Sequence, residues 1–245
     1  MITMSEECGE KKEMIQNVSE DGNGKRIGIR RFDIISLIQG RKGGEGIETS
    51  SVSLIRTPTS TVVVDTGSSE IKEEIKRAIN AVGIKVEKVN VLVTTRAHDL
   101  HTGNDSLFVH ALQHVRKDDW TKVKGETKRK VAINNRYHWI DRYLKLQTIH
   151  FVENDALVLL AHMPNREDML EASSRDLTGK VVLFAGLAVP GEDDPVVKAA
   201  LEKIRKEGIC TVKEPGEGFK DLVDLLSYCD HVIPAYGPMF RVRGE

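Results

Sequence analysis

Hydrophobic and polar positions alternate along much of the first third of the chain, and this pattern predicts strands. Residues 27–39 alternate and predict one strand, while Ser51 to Arg56 and Thr61 to Val64 predict a β-hairpin. Residues 70–82 carry apolar side chains at helical spacing, and Gly83 provides the stop signal of an amphipathic helix. The chain therefore opens with a strand, a hairpin and a helix.

The rest of the chain repeats this order of strands and then helices. Val89 to Thr94 predicts a short buried strand, and Ser106 to His114 predicts a helix on which His110 and His114 are plain surface residues. Two groups of strands, each followed by helices, predict an α/β fold with two sheets and helices outside. The later predicted elements are strands at 149–152, 156–160, 181–185 and 231–234, and helices at 195–207 and 220–226.

Composition fits one large domain with a polar, acidic arm at residues 1–26. The 245 residues are 40% hydrophobic, and the formal net charge of −1 does not by itself predict a nucleic-acid or membrane-surface protein. Three cysteines without a C-x-x-C pair favour reduced thiols. Without a signal-peptide pattern or a long apolar run, we expect a cytoplasmic protein that does not enter membranes.

Residues 116–147 differ from the rest of the predicted domain, which spans 27–245, and they read as a basic aromatic insert. They hold ten basic and four acidic residues, a local net charge of +6, with tryptophans and tyrosines interleaved. Such a segment suits single-stranded RNA, because cations contact phosphates and rings stack on bases. The alternative is a solvated excursion whose aromatic rings pack onto the domain. The RNA-binding candidates are Lys122, Lys124, Lys128, Arg129, Lys130, Arg136 and Trp139.

Polar or ligand-type residues follow four of the predicted strands. The sequences are VVVDTG ending at Gly67, TRAHDLHTGN at 95–104, LFAGLAV at 183–189 and AYGPMF at 235–240. Strand ends hold side chains rigidly, so this arrangement predicts one functional site built from several loops.

This series resembles the metallo-β-lactamase superfamily over roughly residues 30–243. In that family, Asp-Thr-Gly, T-H-x-H-x-D-H, P-G-H, Gly-Asp and G-H-G-P follow one another in this order. The SVSLIR opening at 51–56 and the VIPAYGPMFRV ending at 232–242 are similar to the branch named metallo-β-lactamase-domain-containing protein 1. The resemblance implies a four-layer αββα sandwich in which Asp65 has a structural role. The association of that branch with RNA 3′-end processing adds weight to RNA binding.

The metal-ligand positions implied by the resemblance are mostly changed. Of seven positions, only His98 and His101 keep a histidine. Catalytic zinc needs three protein ligands, and an arginine at such a site repels a dication. The sequence therefore predicts a degenerate metal site with no cofactor. The replaced positions are Arg96, Leu100, Asn165 or Arg166, Leu187 and Tyr236.

Three interpretations of the two retained histidines stay open. They are a hydrogen-bonded pair in a closed pocket, a rearranged site for one zinc or manganese ion, or part of an anion pocket with Arg96 and Arg166. A rearranged site would recruit His162 or Asp99, or one of the acidic residues Glu167, Asp168, Asp193 and Asp194.

The preferred prediction is a catalytically inactive protein that acts as a binding or scaffold subunit for a protein or ribonucleoprotein partner. The alternative is a metal-dependent hydrolase, nuclease-like or thioesterase-like, that uses His98 and His101.

Overall fold

Two six-stranded sheets form the centre of the molecule. The structure is a computed structural model, and it describes residues 32–44, 46–123, 129–133, 137–149, 156–166, 177–209 and 219–243. The predicted arm at 1–26 lies outside the described residues. So do Cys8, Cys210, Lys124, Lys128, Arg136, Glu167 and Asp168.

The first sheet has the strand order β1-β2-β3-β4-β5-β6. The pairs β1/β2 and β2/β3 are antiparallel, whereas β3, β4, β5 and β6 run parallel. This confirms the predicted hairpin, and it makes β1 parallel to β3. The strands are β1 (Asp33–Ile38), β2 (Val52–Arg56), β3 (Thr61–Val64), β4 (Val91–Thr94), β5 (Leu112–Arg116) and β6 (Arg129–Ile133).

The second sheet has the order β12-β11-β10-β9-β8-β7. Only β10 and β11 are parallel, and all other neighbours are antiparallel. The strands are β7 (Tyr137–Trp139), β8 (Leu144–Ile149), β9 (Ala156–His162), β10 (Val181–Gly186), β11 (His231–Pro234) and β12 (Phe240–Arg241).

Helices cover the outer faces of both sheets, which gives the predicted αββα order of layers. Helix α1 (Lys72–Ala81) covers the first sheet, and one core cluster fills the space between them. A second cluster lies between the two sheets. Helices α3 (Pro195–Glu207) and α4 (Leu222–Tyr228) cover the second sheet over a third cluster. A four-residue helix, α2 (Asp99–Thr102), follows β4.

The ends of α3 agree with the sequence signals. Asp194 is its N-cap and accepts hydrogen bonds from the Val196 and Val197 backbone amides, and Pro195 occupies the first helical position. Gly208 ends the helix in the left-handed conformation, with φ 61°. No helix among the described ranges is long and apolar enough to cross a membrane.

The helix predicted at Ser106 to His114 is wrong. A 3-10 turn spans Asp105–Phe108, and the chain then enters β5, which pairs in parallel with β4. The Gln113 side chain donates to the Thr94 hydroxyl at 2.9 Å, so the strand is also fixed by a side chain. Pairing with β4 outweighs the local helical pattern of this short apolar stretch. His110 and His114 consequently do not share a helix face.

The basic aromatic segment at 116–147 supplies strands to both sheets over its described residues. Strand β6 is an edge of the first sheet and β7 is an edge of the second, and most of β8 also belongs to this segment. The segment therefore links the two sheets at one side of the sandwich.

Candidate functional site

Strand directions bring the predicted site loops to one edge of the sandwich. Strands β1, β3 and β4 of the first sheet and β10 and β11 of the second all end there. Backbone hydrogen bonds join the two sheets at this edge: Leu157 N donates to Thr95 O at 2.9 Å, and Ser51 N donates to Ala235 O at 2.8 Å. We call this the site edge; it is defined by Gly40, Asp65, Thr95, Gly186 and Ala235.

Asp65 fixes the loop that carries the histidine motif. Its two carboxylate oxygens accept hydrogen bonds from Thr95 N at 2.8 Å and from the Thr95 hydroxyl at 2.7 Å. The residue is buried and has φ 55°, which is rare for a residue other than glycine and costs conformational energy. The surrounding hydrogen bonds hold it in this state. The structural role expected for Asp65 is therefore visible in its contacts.

His101 is fully buried and is oriented by the same carboxylate. Its Nδ1 lies 2.9 Å from Asp65 Oδ2, and since a carboxylate oxygen accepts, Nδ1 is the donor and Nε2 faces away from this bond. Among the described residues, that buried Nε2 has no hydrogen-bond partner. A carboxylate behind a histidine is the arrangement that orients metal-binding histidines. His101 thus keeps the orientation of a ligand.

His98 has a different environment, and the two histidines do not form a hydrogen-bonded pair. It is exposed and caps α2, with its Nδ1 accepting from Leu100 N at 3.3 Å. Its ring centroid lies 6.4 Å from that of His101. Metal binding through Nε2 would place the proton on Nδ1, where it would oppose the bond from Leu100.

Arg96 and Tyr236 directly follow Thr95 and Ala235 at the site edge, and both are half-buried. We call the surface around these two side chains the mouth of the site edge. Burial raises the pKa of the Tyr236 hydroxyl, the Glu48 carboxylate raises it further, and the charge of Arg96 lowers it. Lys42 Nζ lies 5.6 Å from the centroid of the Tyr236 ring. Leu187, also half-buried, lies in the turn that follows β10.

Gly186 allows the two sheets to approach each other at this edge. Its φ is 49°, and a Cβ placed on it would lie 2.3 Å from the Thr95 hydroxyl. A larger residue would therefore displace the loop that carries Arg96.

Asn165 and Arg166 do not belong to this site, which corrects the expectation that one of them replaces a ligand. They follow β9, which is antiparallel to β10 and pairs His162 with Val181, the first residue of β10. They therefore lie at the opposite edge, roughly 17 Å from Gly186 along a six-residue strand. Ile149 and Ala156, which pair with each other, lie at the site edge instead, and residues 150–155 between them lie outside the described residues.

Of the other candidate ligands for a rearranged site, three contact other residues and one is exposed. The His162 ring lies 5.9 Å from Trp139 and 6.0 Å from Tyr228, under α4 on the outer face of the second sheet. Asp193 pairs with Lys198 at 2.8 Å, whereas Asp194 caps α3. Asp99 is exposed in the first turn of α2.

A buried acidic network behind the motif was missed by sequence reasoning. Asp105 accepts from the Thr66 hydroxyl at 2.8 Å and from Gln113 Nε2 at 2.7 Å. Burial raises its pKa to about 7, and the nearby charge of Asp65 adds to this effect. The only sequence signal was its place just after the Thr-Gly-Asn that ends the motif.

A metal site requires donor side chains that lie close together. In the part of the chain that the structure describes, no three His, Cys, Asp or Glu side chains lie together in a way that could hold a metal ion. Catalytic zinc takes three such ligands. The described residues therefore do not fit a catalytic metal centre.

Comparison of folds identifies the architecture. A metallo-β-lactamase-type protein from Thermotoga maritima is similar with TM-score 0.62 and 15% identity, over 88% of this chain and 100% of that one. The chain has the metallo-β-lactamase fold. A chemotaxis sensor solved as a peroxy diiron species has TM-score 0.54 and 16% identity, over 86% of this chain and 85% of its own.

A B3 metallo-β-lactamase with an active-site glutamic acid matches with TM-score 0.51 and 14% identity, over 79% of this chain and 77% of its own. No protein-family model and no curated protein sequence matches the chain. At these identities the similarity establishes the fold alone, and the site must be judged from its own residues.

Proposed function

We propose that this chain is a metallo-β-lactamase-fold protein that acts by binding rather than by metal-dependent hydrolysis, as a binding or scaffold subunit. One observation supports this most directly. Among the described residues of the site edge, only the buried His101 is oriented as a ligand, whereas His98 is turned into a helix cap. Arg96, two residues before His98 on the same loop, carries a permanent positive charge that disfavours a dication. The narrower resemblance to metallo-β-lactamase-domain-containing protein 1 stays a prediction.

Metal analysis of the purified chain tests this proposal. The protein is loaded with zinc or manganese, desalted, and assayed for bound metal and for hydrolysis of a phosphodiester and a thioester. We expect far less than one ion per chain and no hydrolysis above buffer. His101→Ala is compared with His110→Ala, which alters a histidine outside the site edge. One ion per chain that disappears only in His101→Ala, together with hydrolysis, would establish the hydrolase alternative.

A second candidate function, RNA binding, is favoured by the exposed aromatic rings at the edge strands. Trp120, Tyr137 and Trp139 are 38%, 50% and 45% exposed. Lys130 Nζ lies 6.0 Å from the Trp120 ring, and Lys145 Nζ lies 4.2 Å from the Tyr137 ring. Cations beside accessible rings suit a strand of phosphates and stacked bases.

The two edge strands can act as one surface. Only three residues separate Ile133 from Tyr137, so the chain holds them within about 14 Å of each other. Arg129 is exposed on β6, and Lys130 is anchored by a hydrogen bond to Val123 O at 2.9 Å. By contrast, Lys122 is paired with Asp119 at 3.3 Å, so it is a weaker candidate than the sequence indicated.

Binding of a fluorescent single-stranded RNA at several salt concentrations tests this second function. We expect the double variant Arg129→Ala/Lys130→Ala to weaken binding and to reduce the salt slope by one to two, since each lost phosphate contact contributes about 0.7. Trp139→Ala should cost about 1–3 kcal/mol through lost stacking. The control is Lys203→Ala/Lys206→Ala on the exposed face of α3. Equal binding by all four proteins would refute RNA binding at this surface.

A further inference from the structure

We infer that the mouth of the site edge binds the carboxylate of an apolar organic acid, with Arg96 as the main anchor. This inference rests on the proposed function, because it assigns a ligand class to the same degenerate site. It differs from the anion pocket expected from sequence, since Arg166 lies at the opposite edge. Three observations carry it: a guanidinium without a partner among the described residues, a second cation beside a phenol, and apolar side chains on the surrounding loops.

Arg96 has no fixed partner in the described part of the chain. No hydrogen bond or ion pair joins its guanidinium to another described residue, although the side chain is half-buried. Elsewhere arginines in similar positions are paired: Arg56 is bonded to Asp33, and Arg116 to Asp119 at 3.1 Å. A half-buried guanidinium with five N–H donors is a strong site for a planar carboxylate. Arg96 is therefore available to an external anion.

Lys42 and Tyr236 supply further donors at the same mouth. Arg96 and Tyr236 directly follow Thr95 and Ala235, which lie at the site edge, and the Lys42 ammonium lies 5.6 Å from the centroid of the Tyr236 ring. The loops that carry them are tied together, because Gly237 N donates to Gly40 O at 2.9 Å. A bound carboxylate can thus meet a guanidinium, an ammonium and a phenolic hydroxyl.

Four apolar side chains also lie on these loops, which favours an organic acid over inorganic phosphate. Leu100 and Leu187 are half-buried at two former ligand positions. Ile47 and Met239 are 39% and 43% exposed on the loops that carry Lys42 and Tyr236. An apolar chain beside these residues would be removed from water, which adds binding energy in proportion to the buried area.

Glu48 opposes an anion at this position. Its carboxylate acts on the same Tyr236 hydroxyl as Arg96 does. It has no ion-pair partner within the described ranges, so its charge is not cancelled. Removing the charge of Glu48 should therefore strengthen binding, whereas removing that of Arg96 should weaken it. A merely structural role for these residues would not produce opposite effects on the same ligand.

Isothermal titration with octanoate in the presence of EDTA tests the inference on the full chain. We expect octanoate to bind at least about tenfold more tightly than acetate, inorganic phosphate or the neutral octanamide. Arg96→Gln should weaken octanoate binding by about tenfold or more, and Glu48→Gln should tighten it. Arg77→Gln, on the exposed face of α1, is the matched control and should bind like the wild type. Near-UV circular dichroism checks that each variant is folded.

Absence of octanoate binding, or equal binding by wild type and Arg96→Gln, would overturn the inference. Equal affinity for phosphate, acetate and octanoate would overturn the choice of an apolar acid. If Arg96→Gln does not fold, an unchanged affinity in Glu48→Gln overturns it instead. These outcomes are separate from failure of the proposed function, which is signalled by bound metal and hydrolysis.

Discussion

Asp105 and His114 make opposite contributions to stability as the pH changes. Burial raises the pKa of Asp105 from 3.8 to about 7 and lowers that of His114 from 6.5 to about 4, with the charge of His138 adding to the second effect. Between pH 4 and 7 the folded chain binds more protons at Asp105 than the unfolded chain does, so stability falls as the pH rises. At His114 the unfolded chain binds more protons, so stability rises from pH 4 to 6.5.

The two effects are of similar size. A gap of about 3 pH units at Asp105 corresponds to about 4 kcal/mol, and a gap of about 2.5 units at His114 to about 3 kcal/mol. Because the slopes have opposite signs, the pH dependences of the two contributions nearly cancel in the wild type between pH 4 and 6.5. Each group must therefore be removed separately for its contribution to be measured.

Urea unfolding of wild type and Asp105→Asn at pH 4, 5, 6, 7 and 8 isolates the first contribution. The difference in the free energy of unfolding, variant minus wild type, should rise by about 4 kcal/mol between pH 4 and 7.5 and then level off. His114→Gln should give a difference of opposite slope. The exposed Glu87→Gln serves as the control. A difference between Asp105→Asn and wild type that stays constant with pH would refute the reasoning.

Two further substitutions test the local geometry by urea unfolding. Gly186→Ala should lower the free energy of unfolding by more than about 2 kcal/mol, because strain at positive φ is joined by a clash with Thr95. Gly83→Ala, with φ 72° and open space around the new methyl group, measures the strain without the clash. Asp194→Ala should cost about 1 kcal/mol through loss of the N-cap of α3. Asp193→Ala beside it has only an exposed ion pair to lose and should cost less; equal costs for these two would contradict the capping assignment.

Most elements of the fold could be predicted because their patterns are local. The helix at 195–207 has an acidic cap, a first-turn proline and a terminal glycine, and α3 has the predicted bounds. The hairpin of β2 and β3 and the strand at 231–234 follow from apolar runs between turn residues. The helix predicted at 220–226 forms two residues later, because Asp221 is its N-cap.

One strand was missed because it carries charged and polar residues. Strand β8 contains Lys145 and Gln147 among leucines, so its residues read as part of a basic insert rather than as a strand. Asn165 and Arg166 were assigned from the resemblance to the P-G-H turn alone, whereas the antiparallel pairing of β9 with β10 places them at the opposite edge. Strands β1 and β3 run in the same direction, because both are antiparallel to β2. This relation would have placed the end of β1, and with it the loop that carries Lys42 and Glu48, at the site edge.

The hydrogen bonds that close the site edge have a consequence for folding. Ser51 pairs with Ala235, and Gly40 pairs with Gly237, so these contacts join residues nearly two hundred positions apart. Contacts of such long range pay a large loop-closure entropy before they contribute, and they tend to form late. A nascent chain on the ribosome that still lacks β11 and β12 would contain Asp65 and His101. The backbone hydrogen bonds that close the site edge could not yet form in it. Slow hydrogen exchange at the Ser51 and Gly237 amides would therefore report that the whole chain has folded.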